Sequence, residues 1–279
     1  MLFADFNALL KAQAIMSWDQ QVLMPEGGTP ARTAHLARIG RMAHEVLVSD
    51  EASRLLEDAD REVEPGSNDA ACVRAFRREV DVRKALPAEL VERKSRVSSE
   101  AYQAWRQARA TSDFAMLAPH LEELFAIARE TSERRNIGTH VYDGLTDLFE
   151  EGATYAQERA MFDALKQPIR ELIDGASPAP SEFLFGNWDP EALRSWAQRT
   201  AAVVGYDFSR GRLDITSNAF CTNFSCGDVR MTTRHNDRIE GIVFSSLHEM
   251  GHGLYEQNSP RDWDRTPLAG GISMAVHES

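Results

Sequence analysis

The chain has 279 residues, of which 43% are hydrophobic and 27% are charged, and its formal net charge at pH 7 is -12. This composition is typical of an ordered globular protein rather than a disordered one. The negative charge argues against nucleic-acid partners and anionic membrane surfaces, and no stretch approaches the roughly eighteen apolar residues that a membrane span requires.

The cysteines and the amino-terminal segment indicate a cellular compartment. Cys72, Cys221 and Cys226 are few and odd in number, which fits a reducing compartment better than a disulfide framework. Met1 is followed by an acid-containing helical pattern, without the basic region and apolar block of a secretory leader. We therefore expect a cytoplasmic protein.

The first two hundred residues are predicted to be helical. Apolar side chains recur at helical spacing over residues 2–23 and 30–60, and segments rich in Gly and Pro follow each of them. Further helices are predicted, in chain order, over residues 68–85, 87–110, 113–136, 154–174 and 189–204. Because no internal repeat or linker interrupts the pattern, residues 1–279 are expected to form a single domain.

Two short strands are predicted after residue 205. Residues 212–216 and 228–234 alternate with period two and are rich in β-branched or apolar residues, so both are expected to belong to one small sheet. In the second strand Val229 and Met231 would face the core. The opposite face would then carry four polar residues: Asp228, Arg230, Thr232 and Arg234.

This polar face lies just before the next helix and suggests a substrate-binding role. An edge strand can hold an extended peptide through its backbone, and an arginine on it can hold a carboxylate. We predict Asp228, Arg230 and Thr232 as substrate-binding residues, with Arg234 and Arg238 as further candidates for the carboxylate. The alternatives are an exposed strand with unrelated charges and an internal salt bridge between Arg230 and Asp228.

A metal-binding pattern follows in residues 242–254, whose unbroken apolar register predicts a helix. His248 and His252 would lie one turn apart, about 6 Å along the axis and about 40° around it, so that both imidazoles can hold one zinc ion. Glu249, about 100° from His248, could reach a water on the metal without being a ligand, as in the H-E-x-x-H pattern of zinc peptidases. The alternative is an amphipathic helix with two surface histidines and a solvated glutamate.

The third ligand is expected on residues 268–279, which show a helical pattern of small residues. Three residues share a face with Glu278 on this pattern: Gly271, Met274 and Ala275. The backbone of this segment could therefore closely approach the helix that carries His248 and His252, where Gly251 and Gly253 also leave room. We predict Glu278 as the third ligand, with His277 as the competing candidate, and two histidines with a glutamate leave a position open for water, as in a catalytic zinc site.

Several ordered motifs of the chain, taken together, resemble one protein family. They are Ser17-Trp18-Asp19-Gln20 with Met24-Pro25, Gly211-Arg212-Leu213-Asp214, Asp228-Val229-Arg230-Met231-Thr232-Thr233-Arg234, His248-Glu249-Met250-Gly251-His252 with Tyr255-Glu256-Gln257, and His277-Glu278-Ser279. This series resembles the carboxypeptidase Taq family of metallocarboxypeptidases.

The resemblance implies a mainly α fold, a helical groove-type zinc peptidase with a small β-sheet beside the metal helix. It implies one catalytic Zn²⁺ per chain, or another divalent ion such as Co²⁺, and a homodimer. It also implies release of single residues from peptides with a free carboxyl terminus. By the match, His248, His252 and Glu278 are the metal ligands and Glu249 is the general base.

The sequence departs from the family pattern in two respects. Asn218-Ala219-Phe220 stands where the family usually has His-Pro-Phe, so a histidine of the active-site groove is absent. The family's chain also continues well past the third ligand and begins earlier, which suggests a fragment or a truncated gene product, an incomplete catalytic domain over residues 1–279. With Glu278 in the last helical turn, beside the negative end of the dipole, we expect weaker zinc binding and little activity. The alternative functions are an inactive zinc-binding or dimerisation module and a zinc oligopeptidase that cuts internally.

Overall fold

The structure, a computed structural model, describes residues 2–177, 179–184, 186, 188–216, 218–234 and 239–278. It is mainly helical with one small sheet, as predicted. The helices in these residues are α1 (Leu2–Val22), α2 (Thr29–Val48), α3 (Asp50–Glu62), α4 (Asn68–Lys84), α5 (Ala88–Thr111), α6 (Ala118–Arg135), α7 (Asp143–Thr146), α8 (Tyr155–Gly175), α9 (Pro190–Val203), α10 (Ile239–Gln257) and α11 (Met274–His277). None of the described helices combines the length and apolarity needed to cross a bilayer.

The single helix predicted over residues 30–60 is wrong, because α2 and α3 are separate helices. Ser49 between them is extended, with φ -66° and ψ 152°, and its hydroxyl accepts the backbone N–H of Ala52 at 3.1 Å. A serine in this position caps the second helix and satisfies one of its free N–H groups. The apolar register continues across the break, which is why periodicity alone merged the two helices.

The sheet has three strands, β1 (Gly211–Ile215), β2 (Cys221–Ser225) and β3 (Asp228–Thr233), in the order β1-β3-β2. β1 runs parallel to β3 and β2 runs antiparallel to it. The two predicted strands therefore share one sheet, as expected. The expectation that the second is an edge strand is wrong, because β2, which lacked a clear alternating pattern, pairs with its other side.

The chain divides into two compact units. The first unit comprises residues 1–77, 177–272 and 276–279, and the second comprises residues 78–176 and 273–275. That residues 1–279 form a single domain stays a prediction.

In the first unit, α10 packs on the apolar face of the sheet. Met231 of β3 and Met250 of α10 are both buried, in one cluster with Tyr206. Gly253 permits this close approach, because a Cβ added there would lie 2.8 Å from the Tyr206 ring and 3.0 Å from the Met231 sulfur. The sheet therefore fixes the position of α10.

In the second unit, α5 and α6 pack together around Leu90, Val97 and Ile127. Arg135 and Asp147 form a buried ion pair of 2.5 Å. Helix α8 contrasts with these elements because its apolar side chains remain exposed. They are Met161, Phe162, Leu165, Ile169, Leu172 and Ile173.

Candidate metal centre

Helix α10 brings the two predicted histidine ligands together. The Nε2 atoms of His248 and His252 are 3.0 Å apart, and the two rings are nearly perpendicular, at 81°, with centroids 4.4 Å apart. This is the i, i+4 arrangement expected from one helical turn. His252 is buried, whereas His248 is exposed. The two Nε2 atoms thus face each other on one side of α10.

Glu278 completes the cluster from the other predicted segment. Its Oε2 lies 3.4 Å from His248 Nε2 and 3.5 Å from His252 Nε2, and the three ligand atoms lie within 4.8 Å of one another. The helix predicted over residues 268–279 is wrong in extent, since α11 covers only Met274–His277. Gly270, upstream of α11, adopts φ +91°, and a regular helix cannot pass through a residue in that conformation. Glu278 thus follows a single helical turn.

The spacing and chemistry of these atoms fit a zinc ion. Zinc binds histidine nitrogen and carboxylate oxygen at about 2.0–2.2 Å in a tetrahedral arrangement, so neighbouring ligand atoms are about 3.3–3.5 Å apart. The observed separations of 3.0, 3.4 and 3.5 Å are close to that value. Two nitrogens and one oxygen would leave a fourth position for water or substrate.

Glu249 lies beside the cluster and has the character of a proton acceptor. Its side chain is buried, with 5% of the residue exposed, and its Oε2 has no hydrogen-bond partner among the described residues. Burial raises the pKa of Glu249 to about 7, and the negative charge of Glu278 contributes to the same shift. A carboxyl group with a pKa near neutrality can both take up and release a proton.

The His277 ring is not one of the groups that converge with His248, His252 and Glu278, but it packs against His252. Its ring stacks on His252 with centroids 4.4 Å apart and an interplanar angle of 10°, and its Nε2 is 3.0 Å from Glu256 Oε1. Burial lowers the pKa of His252, and the charge of His277 lowers it further, which favours the neutral imidazole that binds metals. The contact with Glu256 was not predicted, although Glu256 follows His252 by four residues and shares its helix face.

The predicted substrate residue Arg230 has protein partners. Its Nε lies 2.8 Å from Oδ1 of Asp228, and a terminal nitrogen lies 2.8 Å from Oδ2. Its guanidinium lies 4.3 Å from the centroid of the Trp18 ring. The internal salt bridge, one of the alternatives left open by the sequence, is therefore present. Strand alternation places Arg230 on the face opposite Met231, which packs with α10.

The remaining residues of the polar face lie in different surroundings. Thr232 is 0% exposed, and its hydroxyl accepts the backbone N–H of Phe220 at 2.8 Å. Arg234 follows directly after β3, and Arg238 lies outside the described residues. The substrate-binding roles of Asp228, Arg230 and Thr232 stay predictions.

A pocket of about 510 Å³ is lined by residues of α10 and of the segment that follows it. Its lining is largely apolar and includes Gly251 and Tyr255, which follow His248 by three and seven residues and so share its side of the helix. The other lining residues are Leu254, Asn258, Ser259, Pro260, Trp263, Leu268 and Gly270. None of the predicted ligands His248, His252 and Glu278 lines this pocket.

Comparison with known proteins identifies the family of this chain. Residues 1–279 match the family model described as carboxypeptidase Taq (M32) metallopeptidase. Thermostable carboxypeptidase 1 of Pyrococcus furiosus is 31% identical over 281 aligned residues, which cover 98% of this chain and 56% of the relative. Thermostable carboxypeptidase 1 of Thermus thermophilus is 31% identical, with 95% of this chain and 56% of the relative covered.

A solved structure agrees with these relatives. The crystal structure of the M32 carboxypeptidase from Deinococcus radiodurans R1 superposes with a TM-score of 0.88 at 28% identity, over 99% of this chain and 56% of that one. The chain thus spans 56% of the length of the relatives it matches here. With a family match over all of its residues, this chain belongs to the carboxypeptidase Taq (M32) family of metallopeptidases.

Proposed function

We propose that the chain carries the catalytic centre of a zinc-dependent carboxypeptidase, which releases residues from the free carboxyl termini of peptides. The single observation that carries this proposal is the convergence of His248, His252 and Glu278 within 4.8 Å of one another, with Glu249 next in sequence to His248. Membership of a metallopeptidase family supports the same reaction class.

His248, His252 and Glu278 would hold the metal through two nitrogens and one oxygen. When bound, zinc supplies Lewis acidity, which promotes ionisation of water at neutral pH and stabilises negative charge on a carbonyl oxygen. Burial of His252 keeps its imidazole neutral, so that its Nε2 is available as a ligand. Co²⁺ is a second candidate for the same ligands.

Glu249 moves the proton in this proposal. Its unpartnered Oε2 accepts a proton from the attacking water, and the same carboxyl group then donates it to the leaving amine. A pKa of about 7 suits both steps, because the group is readily ionised and readily protonated near neutral pH. Removing this group should reduce turnover by about 10²- to 10⁴-fold.

The location and assembly of the protein belong to the same proposal. All three cysteines are free thiols, which supports a reducing compartment such as the cytoplasm. We also propose a homodimer, on the family resemblance alone. Light scattering of the purified chain measures its mass and would return the monomer value if this part is wrong.

A pair of peptides tests the reaction. The two peptides share one sequence, and one carries a free carboxyl terminus while the other is amidated. The zinc-loaded chain should release single residues slowly, and from the first peptide only, since little activity is expected of it. Glu249→Gln should abolish most of this slow release while still binding zinc. Cleavage of both peptides at an internal bond would indicate an oligopeptidase instead. Zinc binding without any cleavage, or release that survives in Glu249→Gln, would overturn the proposal.

A further inference from the structure

A buried carboxylate, that of Glu256, and the ring of His277 lie next to the predicted ligand His252. Glu256 is 8% exposed and occupies the helix position one turn beyond His252. Its Oε1 lies 3.0 Å from Nε2 of His277, the last residue of α11. Because burying a carboxylate is costly unless it has a partner, this contact is a built feature of the fold.

His277 is held on several sides. Its ring stacks on His252 at 4.4 Å and 10°, and it meets the Tyr255 ring nearly edge-on, at 5.1 Å and 78°. The Glu256 carboxylate faces its Nε2 at an ion-pair distance of 3.0 Å without hydrogen-bond geometry, so this third contact is electrostatic. The orientation of His277 therefore depends on three residues of α10.

The loop before α11 is shaped around this pair. A Cβ added to Gly271 would lie 3.0 Å from the His277 ring, and one added to Gly270, which has φ +91°, would lie 3.6 Å from a Glu256 carboxylate oxygen. Two consecutive glycines thus let the backbone pass close to both side chains. On another side, the ammonium of Lys11 interacts electrostatically with Glu256 and donates a hydrogen bond to the Asn223 carbonyl at 3.2 Å.

The position of His277 matters because it touches one ligand and precedes the other. Its ring covers one face of the His252 imidazole, and its backbone leads directly into Glu278. Residues that orient ligands in this way commonly contribute 10- to 100-fold to metal affinity.

We propose that Glu256, acting through His277, is a positioning residue of the metal site: it fixes the His277 ring and thereby holds His252 and Glu278 in ligating positions. This inference rests on the proposed function, since it concerns the same metal site. It adds a role for two side chains that neither bind the metal nor transfer a proton.

Zinc affinity of the full chain, measured by competition with a chelator of known affinity, tests the proposal. Glu256→Ala and His277→Ala should each weaken zinc binding by about 10- to 100-fold. The double variant should bind zinc no more weakly than whichever single variant has the lower affinity, because both substitutions remove the same contact between Glu256 and His277. Glu256→Gln keeps the size of the side chain but removes its charge, so it should recover only the part of the affinity that comes from packing against His277.

The visible absorption spectrum of the Co²⁺-loaded chain adds a readout that does not depend on activity. Glu256→Ala should change the shape and intensity of the Co²⁺ bands, because displaced ligands alter the coordination geometry. The matched control is Gln257→Ala, one residue along α10. Gln257 is also buried, and its side chain accepts the Asp207 N–H at 2.8 Å and donates to the Asp207 carbonyl at 2.9 Å. Its loss should lower stability but leave the affinity and the Co²⁺ spectrum unchanged.

The outcomes separate this inference from the proposed function. A wild-type chain that binds no zinc would overturn both. Tight wild-type binding that is unchanged in Glu256→Ala and His277→Ala would overturn the positioning role alone, as would an equal loss in Gln257→Ala. If Glu256→Ala does not fold, His277→Ala decides the matter by itself, and unchanged affinity in that variant would refute the proposal.

Discussion

The Nε2 atoms of His248 and His252 face each other across 3.0 Å, with the Glu278 carboxylate 3.4 and 3.5 Å away. A divalent ion would satisfy all three groups at once, and an ion that binds only the folded state stabilises it. We expect zinc at a hundred times its dissociation constant to raise the free energy of unfolding by about 2.7 kcal/mol. Thermal unfolding with and without zinc measures this effect, and a chelator should reverse it.

Two histidine variants make that measurement specific. His252→Ala should lose most of the zinc-dependent stabilisation, because it removes a ligand atom from the cluster. His35→Ala, at an exposed position on α2, should retain it. Equal stabilisation of both variants by zinc would show that the ion binds elsewhere.

Two glycines of α10, Gly251 and Gly253, should respond oppositely to alanine. A Cβ at Gly253 would lie 2.8 Å from the Tyr206 ring, so Gly253→Ala should lower the free energy of unfolding by about 1–3 kcal/mol through overpacking. A Cβ at Gly251 meets nothing within 4 Å, so Gly251→Ala should raise it by about 0.5–1 kcal/mol through helix propensity. Urea unfolding of the two variants checks the sign, and equal effects would contradict this packing.

The buried Asp147–Arg135 pair predicts a pH dependence of stability. Burial raises the pKa of Asp147, but the backbone N–H of Gly152 and the Arg135 guanidinium outweigh it, so the pKa in the folded state is lowered. The unfolded state, with a pKa of about 3.9, therefore binds more protons in this range. The stabilisation is complete above the unfolded pKa and is lost as the pH falls through the folded pKa.

Asp147→Asn tests this dependence. At pH 7 it should lower the free energy of unfolding by about 3–5 kcal/mol, because it leaves a buried arginine without its charge partner. The difference from the wild type should shrink as the pH is lowered. Asp163→Asn, which affects an exposed ion pair with Lys166, should have a far smaller effect. A constant penalty for Asp147→Asn across the pH range would argue against the ion pair as its cause.

Arg230 can be assigned to substrate or to structure by one variant. Because its guanidinium is paired with Asp228 and stacked on Trp18, we expect Arg230→Met to lower the free energy of unfolding by about 1–2 kcal/mol. If Arg230 is purely structural, KM for a peptide with a free carboxyl terminus should change little. A tenfold or larger rise in KM at unchanged kcat would instead support the substrate-binding role predicted from the sequence.

Local patterns were sufficient for most helices and for the placement of His248 and His252. An i, i+4 spacing has one geometric outcome on a helix, because backbone hydrogen bonding sets the rise and rotation per residue. The same holds for the alternation of β3, where Val229 and Met231 are buried as expected. These features depend on neighbours within one turn or one strand.

Contacts between distant segments depended on the path of the whole chain. Periodicity could not reveal that β2 pairs with β3, that residues 268–273 form an irregular loop instead of a helix, or that Glu256 meets His277. Glu256 and His277 belong to different segments, and a glycine with positive φ turns the backbone between them. Such contacts follow from the packing of segments in three dimensions, for which a repeat of apolar residues along the sequence carries no signal.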